Sequence, residues 1–119
     1  MIGRVYIIKD ILELNINYIG STTQSLLERF QQYKNAYNLW IINNKKYKEA
    51  TLNKYFKEHG IDNFIIKLLG EYEIKNNEEL RKLEQYKIEE NGNCINKIKA
   101  YTKIEKDNFI IMNNYKIIL

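Results

Sequence analysis

Two strand-like segments near the start of the chain constrain its fold most strongly. Residues 4–9 (RVYIIK) and 16–21 (INYIGS) each carry one tyrosine in a run rich in β-branched residues, and residues 10–15 connect them. Such a pair is typical of an antiparallel hairpin. We predict the register that puts Tyr6 directly opposite Tyr18, because directly opposed side chains lie close enough for the two phenols to share one surface.

The rest of the chain predicts helices around one more strand. Ser25 begins a capping box for a helix that runs to about residue 35, and residues 36–50, dense in Asn and Lys, predict an irregular surface segment. The next elements are a short helix, a strand and a longer helix, over residues 51–59, 63–72 and 76–91. Gly60 and Gly92 follow the two helices, in the position where glycine commonly ends a helix.

The composition limits the class of protein without choosing a function. A chain of 119 residues fits one domain, and a net charge of +4 with a pI near 9.0 permits contact with phosphate backbones. Cys94 is the only cysteine, and the chain has no charged-then-apolar leader and no apolar run of about 18 residues. We therefore expect an intracellular protein that is not secreted and has no membrane partner. The abundance of Ile, Asn and Lys suggests an AT-rich genome, such as that of a virus or a mobile element.

Glu84 is a charged residue on an otherwise apolar helix face. Leu80 and Ile88 lie four residues to either side of it, so all three share that face. A carboxylate in such a stripe is costly unless a cation, a metal or a hydrogen-bond donor satisfies it. From helix geometry alone, an ordinary salt bridge with Arg81 or Lys87 also explains the position.

Arg29 presents the same anomaly on the first helix, three residues after Leu26 and four before Tyr33. A guanidinium suits a phosphate, because its planar fork offers paired donors and stays charged at any working pH. An arginine that reaches past the edge of the core is the alternative. For Tyr6 and Tyr18 the alternative is packing, since the chain has ten tyrosines.

In order and spacing, the segments that carry these residues resemble the motifs of the GIY-YIG nuclease family. Gly3-Arg4-Val5-Tyr6 stands at the first motif, with Val5 in place of the usual isoleucine and Arg4 inserted before it. Tyr18-Ile19-Gly20-Ser21-Thr22 matches the second motif, and Leu27-Glu28-Arg29-Phe30 resembles the helix that bears the family arginine. Tyr33 stands where many members carry histidine and where tyrosine is also common.

Later segments resemble the intron-encoded and viral branch of the same family. Leu83-Glu84-Gln85-Tyr86 resembles its glutamate helix, and Cys94-Ile95-Asn96-Lys97 resembles its closing asparagine motif. The matches span about residues 3–101. We therefore expect a nuclease-like domain over residues 1–101 and a C-terminal extension over 102–119 that packs on the same domain.

The resemblance implies an α+β fold with a small three-stranded antiparallel sheet flanked by helices. It also implies hydrolysis of DNA phosphodiester bonds with one divalent cation, Mg²⁺ or Mn²⁺. The site residues that it implies are Tyr6, Tyr18, Arg29, Tyr33, Glu84 and Asn96, with Gly20 in the motif backbone.

Each of these residues has an implied role. Glu84 would be the sole protein ligand of the metal, and Arg29 would hold the phosphate. Tyr6 would be the general base with Tyr18 as its neighbour, or the two roles are exchanged. Asn96 would orient water or backbone around the site.

Two other functions compete with an active endonuclease. One is a catalytically inactive domain that binds nucleic acid, and the other is an unrelated small α/β domain with a basic surface. Intron-encoded relatives usually carry a separate DNA-binding region. The chain therefore either recognises DNA weakly, or forms a homodimer, or is part of something longer.

Overall fold

A three-stranded antiparallel sheet forms the centre of the protein, in a computed structural model that describes residues 1–12 and 16–96. In chain order the elements are β1 (Ile2–Asp10), β2 (Asn17–Thr22), α1 (Leu26–Ile42), α2 (Asn53–His59), a 3₁₀ turn (Ile61–Asn63), β3 (Phe64–Glu73) and α3 (Asn77–Asn91). The strand order is β2-β1-β3. The predicted α+β class with helices flanking this sheet is confirmed. The expected extension over 102–119, and the end of the expected domain at 97–101, lie outside the described residues.

The predicted register of the first hairpin is wrong. Tyr6 pairs with Gly20, and Tyr18 pairs with Ile8, so the strands are shifted by two residues. The physical reason is the position of the Tyr6 ring, which lies across Gly20. A Cβ atom at Gly20 would come within 2.4 Å of the Tyr6 hydroxyl oxygen, so this position has room only for glycine. Because the shift is an even number of residues, Tyr6 and Tyr18 still point to the same face of the sheet.

The two faces of the sheet carry separate hydrophobic clusters. Helices α1 and α2 cover the face of Tyr6 and Ile8, whereas α3 covers the face of Val5 and Ile19. The buried residues of the first cluster are Tyr6, Ile8, Ile16, Leu52, Phe56 and Phe64. Those of the second are Val5, Ile7, Ile19, Tyr72, Ile74, Leu80 and Leu83. Both faces of the sheet are therefore covered, and any site that uses side chains from both faces must lie at an edge.

A β-bulge in β3 lets one strand contribute to both clusters. Val5 pairs with Gly70 and Tyr6 pairs with Leu68, which leaves Leu69 as the extra residue. Side chains alternate along a strand, so one extra residue reverses the alternation. Phe64, before the bulge, therefore belongs to the α1–α2 cluster, and Tyr72, after it, belongs to the α3 cluster.

The helix ends agree with the predicted caps at four positions, including Gly60, which follows α2 with a positive φ. Ser25 accepts a hydrogen bond from the Glu28 amide, Asn76 caps α3 in the same way, and Gly92 ends α3 in the left-handed conformation. The predicted end of α1 near residue 35 is wrong, because the helix continues to Ile42. Tyr37 extends its apolar face, and the Tyr37 ring packs edge-on against the ring of Phe56 on α2. Only residues 43–50 of the predicted irregular segment remain outside a helix.

No helix in the described ranges is long and apolar enough to cross a membrane.

Candidate active site

Tyr6, Arg29 and Tyr33 are joined by hydrogen bonds on the α1 side of the sheet. The Tyr6 and Tyr33 hydroxyl oxygens are 2.7 Å apart. Arg29 donates from Nε to the Tyr6 hydroxyl at 3.2 Å and from Nη2 to the Tyr33 hydroxyl at 3.3 Å. Its Nη1 donates to the side-chain oxygen of Gln32 at 2.9 Å. All three acceptors are neutral, so the guanidinium keeps its full positive charge within this network.

Tyr18 completes what we call the tyrosine–arginine cluster, which consists of Tyr6, Tyr18, Arg29 and Tyr33. The Tyr33 ring stands edge-on to both other rings, with centroids 6.3 Å from Tyr6 and 6.2 Å from Tyr18. Tyr6 is completely buried, whereas Tyr18 is partly exposed. The sequence therefore correctly predicts that both phenols lie on one surface, but they differ in their access to solvent.

Burial raises the pKa of all three phenols in the cluster. For Tyr6, hydrogen bonds to Tyr33 and the nearby Arg29 charge oppose the effect of burial without cancelling it. Burial also dominates the raised pKa of Tyr18 and of Tyr33. Burial by itself lowers the pKa of Arg29, but the Tyr33 and Tyr6 oxygens outweigh it, so the pKa is raised. At neutral pH the cluster therefore contains neutral phenols around a charged guanidinium.

Glu84 lies on the opposite face, on α3, and its partner is Ser21 of β2. The Ser21 hydroxyl donates to Glu84 Oε1 at 2.6 Å. Glu84 makes no ion pair with a lysine or arginine in the described part of the chain, so the salt bridge with Arg81 or Lys87 is absent, and Lys87 pairs with Glu90 instead. Burial raises the pKa of Glu84, although the Ser21 hydrogen bonds and the Arg29 and Arg81 charges oppose it. This carboxylate is thus partly buried without a cation in contact.

Asn96 holds the outer edge of β2. Its side-chain oxygen accepts from the Ile19 amide at 3.1 Å, and its side-chain nitrogen donates to the Ile19 carbonyl at 2.7 Å. The Ile95 amide adds a hydrogen bond to the Asn17 carbonyl at 2.8 Å. Asn96 therefore binds the backbone of β2, which is one of the two roles that its motif implied.

A cleft of about 370 Å³ joins the two sides of the sheet at the end of β2. Arg29 lines it from α1, while Leu80 and Arg81 line it from α3. The remaining lining residues carry hydroxyl or amide groups: Ser21, Thr22, Thr23, Gln24 and Asn77. The cleft therefore lies between the guanidinium of the cluster and the helix that carries Glu84.

The predicted site residues converge around β2, although none of the tyrosine hydroxyls touches Glu84 in the described structure. The negative charge of Glu84 contributes to the raised pKa values of Tyr6 and Tyr18, and Arg29 lowers the pKa of Glu84. The geometry agrees, because Arg29 and Ser21 line the same cleft and the Ser21 hydroxyl donates to Glu84. Gly20 has a steric role, because the Tyr6 ring occupies the space that a side chain would need.

Sequence reasoning missed two features of the site. It treated Ser21 only as part of a motif, although alternation along β2 puts Ser21 on the opposite face from Tyr18 and Gly20, toward α3. It also gave Arg81 only a possible salt-bridge role. No local signal in the sequence connects Arg81 with the loop after β2, because their proximity depends on how α3 packs against the sheet.

The available ligands fit a hard cation with few protein contacts. The residues that the structure describes contain no group of three or more His, Cys, Asp or Glu side chains of the kind that encloses a metal. One carboxylate beside one hydroxyl instead suits Mg²⁺ or Mn²⁺, since Mg²⁺ keeps several waters and takes one or two carboxylates. Glu84 is the residue that would hold the ion.

Comparison with known proteins finds viral relatives. The chain is 38% identical over 90 residues to a putative MSV199 domain-containing protein, 146R, of Invertebrate iridescent virus 6, in an alignment that covers 76% of this chain and 34% of that protein. It is 31% identical over 109 residues to the uncharacterized protein 019R of the same virus, covering 87% of this chain and 36% of that protein. The chain thus spans about a third of the length of these relatives. No protein-family model and no solved structure matches it.

Proposed function

We propose that the chain is a GIY-YIG-type endonuclease that hydrolyses DNA phosphodiester bonds with one divalent cation. The observation that carries the proposal is that two charged groups near the end of β2, Arg29 and Glu84, each lack a contact with a group of opposite charge. Arg29 is a guanidinium with only neutral partners, and Glu84 is a partly buried carboxylate without a cation in contact. A metal and a phosphate supply the two missing partners together, because the metal is positive and the phosphate is negative.

The role of Glu84 in this proposal is to bind the metal. A Mg²⁺ or Mn²⁺ ion held there would polarise the phosphate and stabilise the leaving oxygen. Ser21 positions the carboxylate by donating to Oε1, and this hydrogen bond also favours the charged form that a metal ligand needs.

The role of Arg29 is to hold the phosphate from the opposite side of the strand end. The hydrogen bonds to Tyr6, Tyr33 and Gln32 orient its guanidinium before any ligand arrives. A preorganised donor stabilises the charge that develops in the transition state without reorganisation at that moment. Gly20 supports the same arrangement by leaving room for the Tyr6 ring.

A tyrosine in its phenolate form would accept the proton of the attacking water, and exposure favours Tyr18 for that role. Tyr6 is completely buried and its hydroxyl already binds Tyr33 and Arg29. Tyr18 is partly exposed and therefore accessible to water. We assign Tyr6 and Tyr33 to the positioning of Arg29 and of the Tyr18 ring.

The raised pKa values of the phenols favour a second candidate, an inactive domain that binds nucleic acid. A phenol is a base only as phenolate, and burial moves Tyr6 and Tyr18 away from that form. Arg29 opposes this effect at both residues. The two candidates share DNA as their partner and differ only in whether the strand is cut.

Plasmid nicking decides between these candidates. The purified chain should nick supercoiled DNA with Mg²⁺ or Mn²⁺ but not with EDTA. Glu84→Ala should remove the activity, whereas the control Glu89→Gln, an exposed position on the same helix, should retain it. Binding of DNA without nicking under every metal condition would support the inactive domain and contradict the nuclease.

We also expect weak and salt-sensitive DNA binding with at most a short sequence preference. A specific protein–DNA interface typically buries about 1,000–2,500 Å² of protein surface. A domain of this size that presents its site to the backbone leaves little surface to read base edges. Sequencing the fragment ends from a randomised duplex library tests this expectation, and a single long preferred site would contradict it. Whether a homodimer supplies further contacts stays a prediction, measured by the oligomeric state in solution.

A further inference from the structure

Arg81 is a cation that neither the fold nor the proposed chemistry uses. It is exposed on α3, one turn before Glu84, and it lines the same cleft as Arg29. In the described part of the chain it forms no ion pair and no hydrogen bond; its electrostatic effect is to lower the pKa of Glu84. Its guanidinium is therefore available to a ligand in the cleft.

The charge of the cleft points to an anionic ligand. Two arginines line it, and its other lining residues include no carboxylate. Two other clefts differ: one is lined by Glu28, and another contains Lys87 already paired with Glu90 at 3.7 Å. The first cleft thus combines two positive charges with hydroxyl and amide groups that can bind phosphate oxygens.

The loop that forms one wall of this cleft is held in place by the sheet. Arg4 donates to the Gln24 carbonyl at 3.1 Å and is fixed by an ion pair with Glu71 at 2.8 Å. The Gln24 amide donates to the Thr22 hydroxyl at 3.0 Å. These contacts keep residues 22–24 opposite Arg81 before any ligand binds.

We propose that Arg81 and the 22–24 loop bind the backbone phosphate next to the scissile phosphate on the same DNA strand. Arg81 precedes Glu84 by three residues on α3 and lines the same cleft as Arg29, so an anion bound at Arg81 lies beside the proposed site of cleavage. The identity of the ligand rests on the proposed nuclease function, but binding at Arg81 does not require cleavage.

This assignment makes Arg81 a positioning residue with a distinct kinetic signature. A contact to a phosphate that does not react is equally strong in the ground state and the transition state. Its loss raises KM and leaves kcat nearly unchanged, whereas loss of Arg29 lowers kcat.

The test compares Arg81→Gln with Lys82→Gln, which removes the same charge from the next residue of the same helix, outside the cleft. Binding of a fluorescent duplex is measured in EDTA from about 50 to 200 mM salt, after circular dichroism has established that both variants are folded. For Arg81→Gln we expect about tenfold weaker binding at low salt and a salt slope reduced by about 0.7–0.9. Lys82→Gln should keep the wild-type slope.

Each result has a separate meaning for the two proposals. Equal slopes for the wild type and Arg81→Gln, equal losses in both variants, or no DNA binding by the wild type would overturn the phosphate assignment. An Arg81-dependent slope in a protein that cuts no DNA with any metal would support binding of a backbone phosphate at Arg81 and contradict the nuclease. If the wild type cuts DNA, an Arg81→Gln effect on kcat alone would overturn the positioning role.

Discussion

The two faces of the sheet satisfy their polar groups in different ways. On the α1 side, Tyr6, Arg29 and Tyr33 bind one another, so their polar groups are hydrogen-bonded without a ligand, although the Arg29 charge has no anion in contact. On the α3 side, Glu84 has Ser21 as its hydrogen-bond partner, and burial raises the pKa of the carboxylate. The hydrogen bonds on the α1 side therefore stabilise the folded protein, whereas the buried charge of Glu84 on the α3 side destabilises it.

The raised pKa of Glu84 determines how the α3 side affects stability as the pH changes. A carboxyl group whose pKa is raised in the folded protein binds its proton more tightly there than in the unfolded chain. The charged carboxylate therefore lowers the free energy of unfolding as pH rises from the ordinary value near 4.5 through the folded pKa. Below that ordinary value the effect disappears, because both states are protonated.

Substitution of Glu84 should produce the largest change and separate activity from stability. Glu84→Gln keeps an oxygen that can accept from Ser21 but removes the charge, so cleavage should fall to background while the melting temperature at pH 7 rises. The gain in melting temperature should vanish near pH 4. Thermal unfolding at the two pH values, beside the control Glu89→Gln, measures it. A lower melting temperature at pH 7 would contradict the account of the α3 side.

Tyr18→Phe should have the next largest effect on the proposed reaction. It retains the ring that packs edge-on to Tyr33 and removes the hydroxyl, so the rate should fall by about 10²–10⁴-fold with little loss of stability. Tyr55→Phe, in the same hydrophobic cluster, is the matched control. Single-turnover cleavage rates decide the assignment, and a larger loss for Tyr6→Phe than for Tyr18→Phe would transfer the role to Tyr6.

Substitutions of Arg29 test whether catalysis needs the planar guanidinium with its several donors or only a positive charge. Arg29→Gln should reduce kcat by about 10²–10³-fold, as loss of a preorganised donor does in other enzymes. Arg29→Lys keeps the charge but cannot bind Tyr6, Tyr33 and Gln32 together, so it should recover only part of the rate. Full activity in Arg29→Lys would show that the hydrogen-bond network does not contribute to catalysis.

Tyr6→Phe and Tyr33→Phe should show that the α1 side stabilises the fold. The two hydroxyls share a hydrogen bond, which typically contributes about 1 kcal/mol. Each single variant should therefore unfold more easily, and the double variant should lose less than the sum of the two. Chemical denaturation of the four proteins gives the coupling energy. A coupling energy near zero would remove the contrast between the two faces.

Ser21→Ala should have the smallest effect on the rate, and mainly at acidic pH. The Ser21 hydroxyl favours the charged form of Glu84, so its loss raises the pKa of the carboxyl further. The acidic limb of the activity profile should move to higher pH, while the rate at alkaline pH changes only a few-fold. Thr51→Ala, on a partly exposed residue before α2 and outside the cleft, is the control. A uniform loss at every pH would assign Ser21 to another role.

Local signals in the sequence were sufficient for the order of the strands and helices and for the shared face of Tyr6 and Tyr18. β-branched runs identify β1 and β2, and Ser25 and Asn76 mark helix starts through hydrogen bonds that span only three residues. The register was not accessible in the same way. The two registers that differ by two residues keep Tyr6 and Tyr18 on the same face, so alternation cannot rank them. The choice depends on the fit of one ring over Gly20.

Long-range partners were the part that the sequence could not provide. Helix spacing correctly put Glu84 beside Leu80 and Ile88, and it offered Arg81 and Lys87 as nearby cations. The actual hydrogen-bond donor, Ser21, is 63 positions away in the chain. The continuation of α1 to Ile42 has the same origin, since it depends on the contact of Tyr37 with α2.

The extra residue in β3 makes chain length, rather than residue type, the sensitive property of that strand. Leu69 is exposed, so exchanging its side chain should change stability only slightly. A one-codon deletion there would be far more damaging, because Phe64 and Tyr72 could no longer both point into their own clusters. Gene variants with insertions or deletions between residues 64 and 73 should therefore fail in expression screens where substitutions at residue 69 succeed.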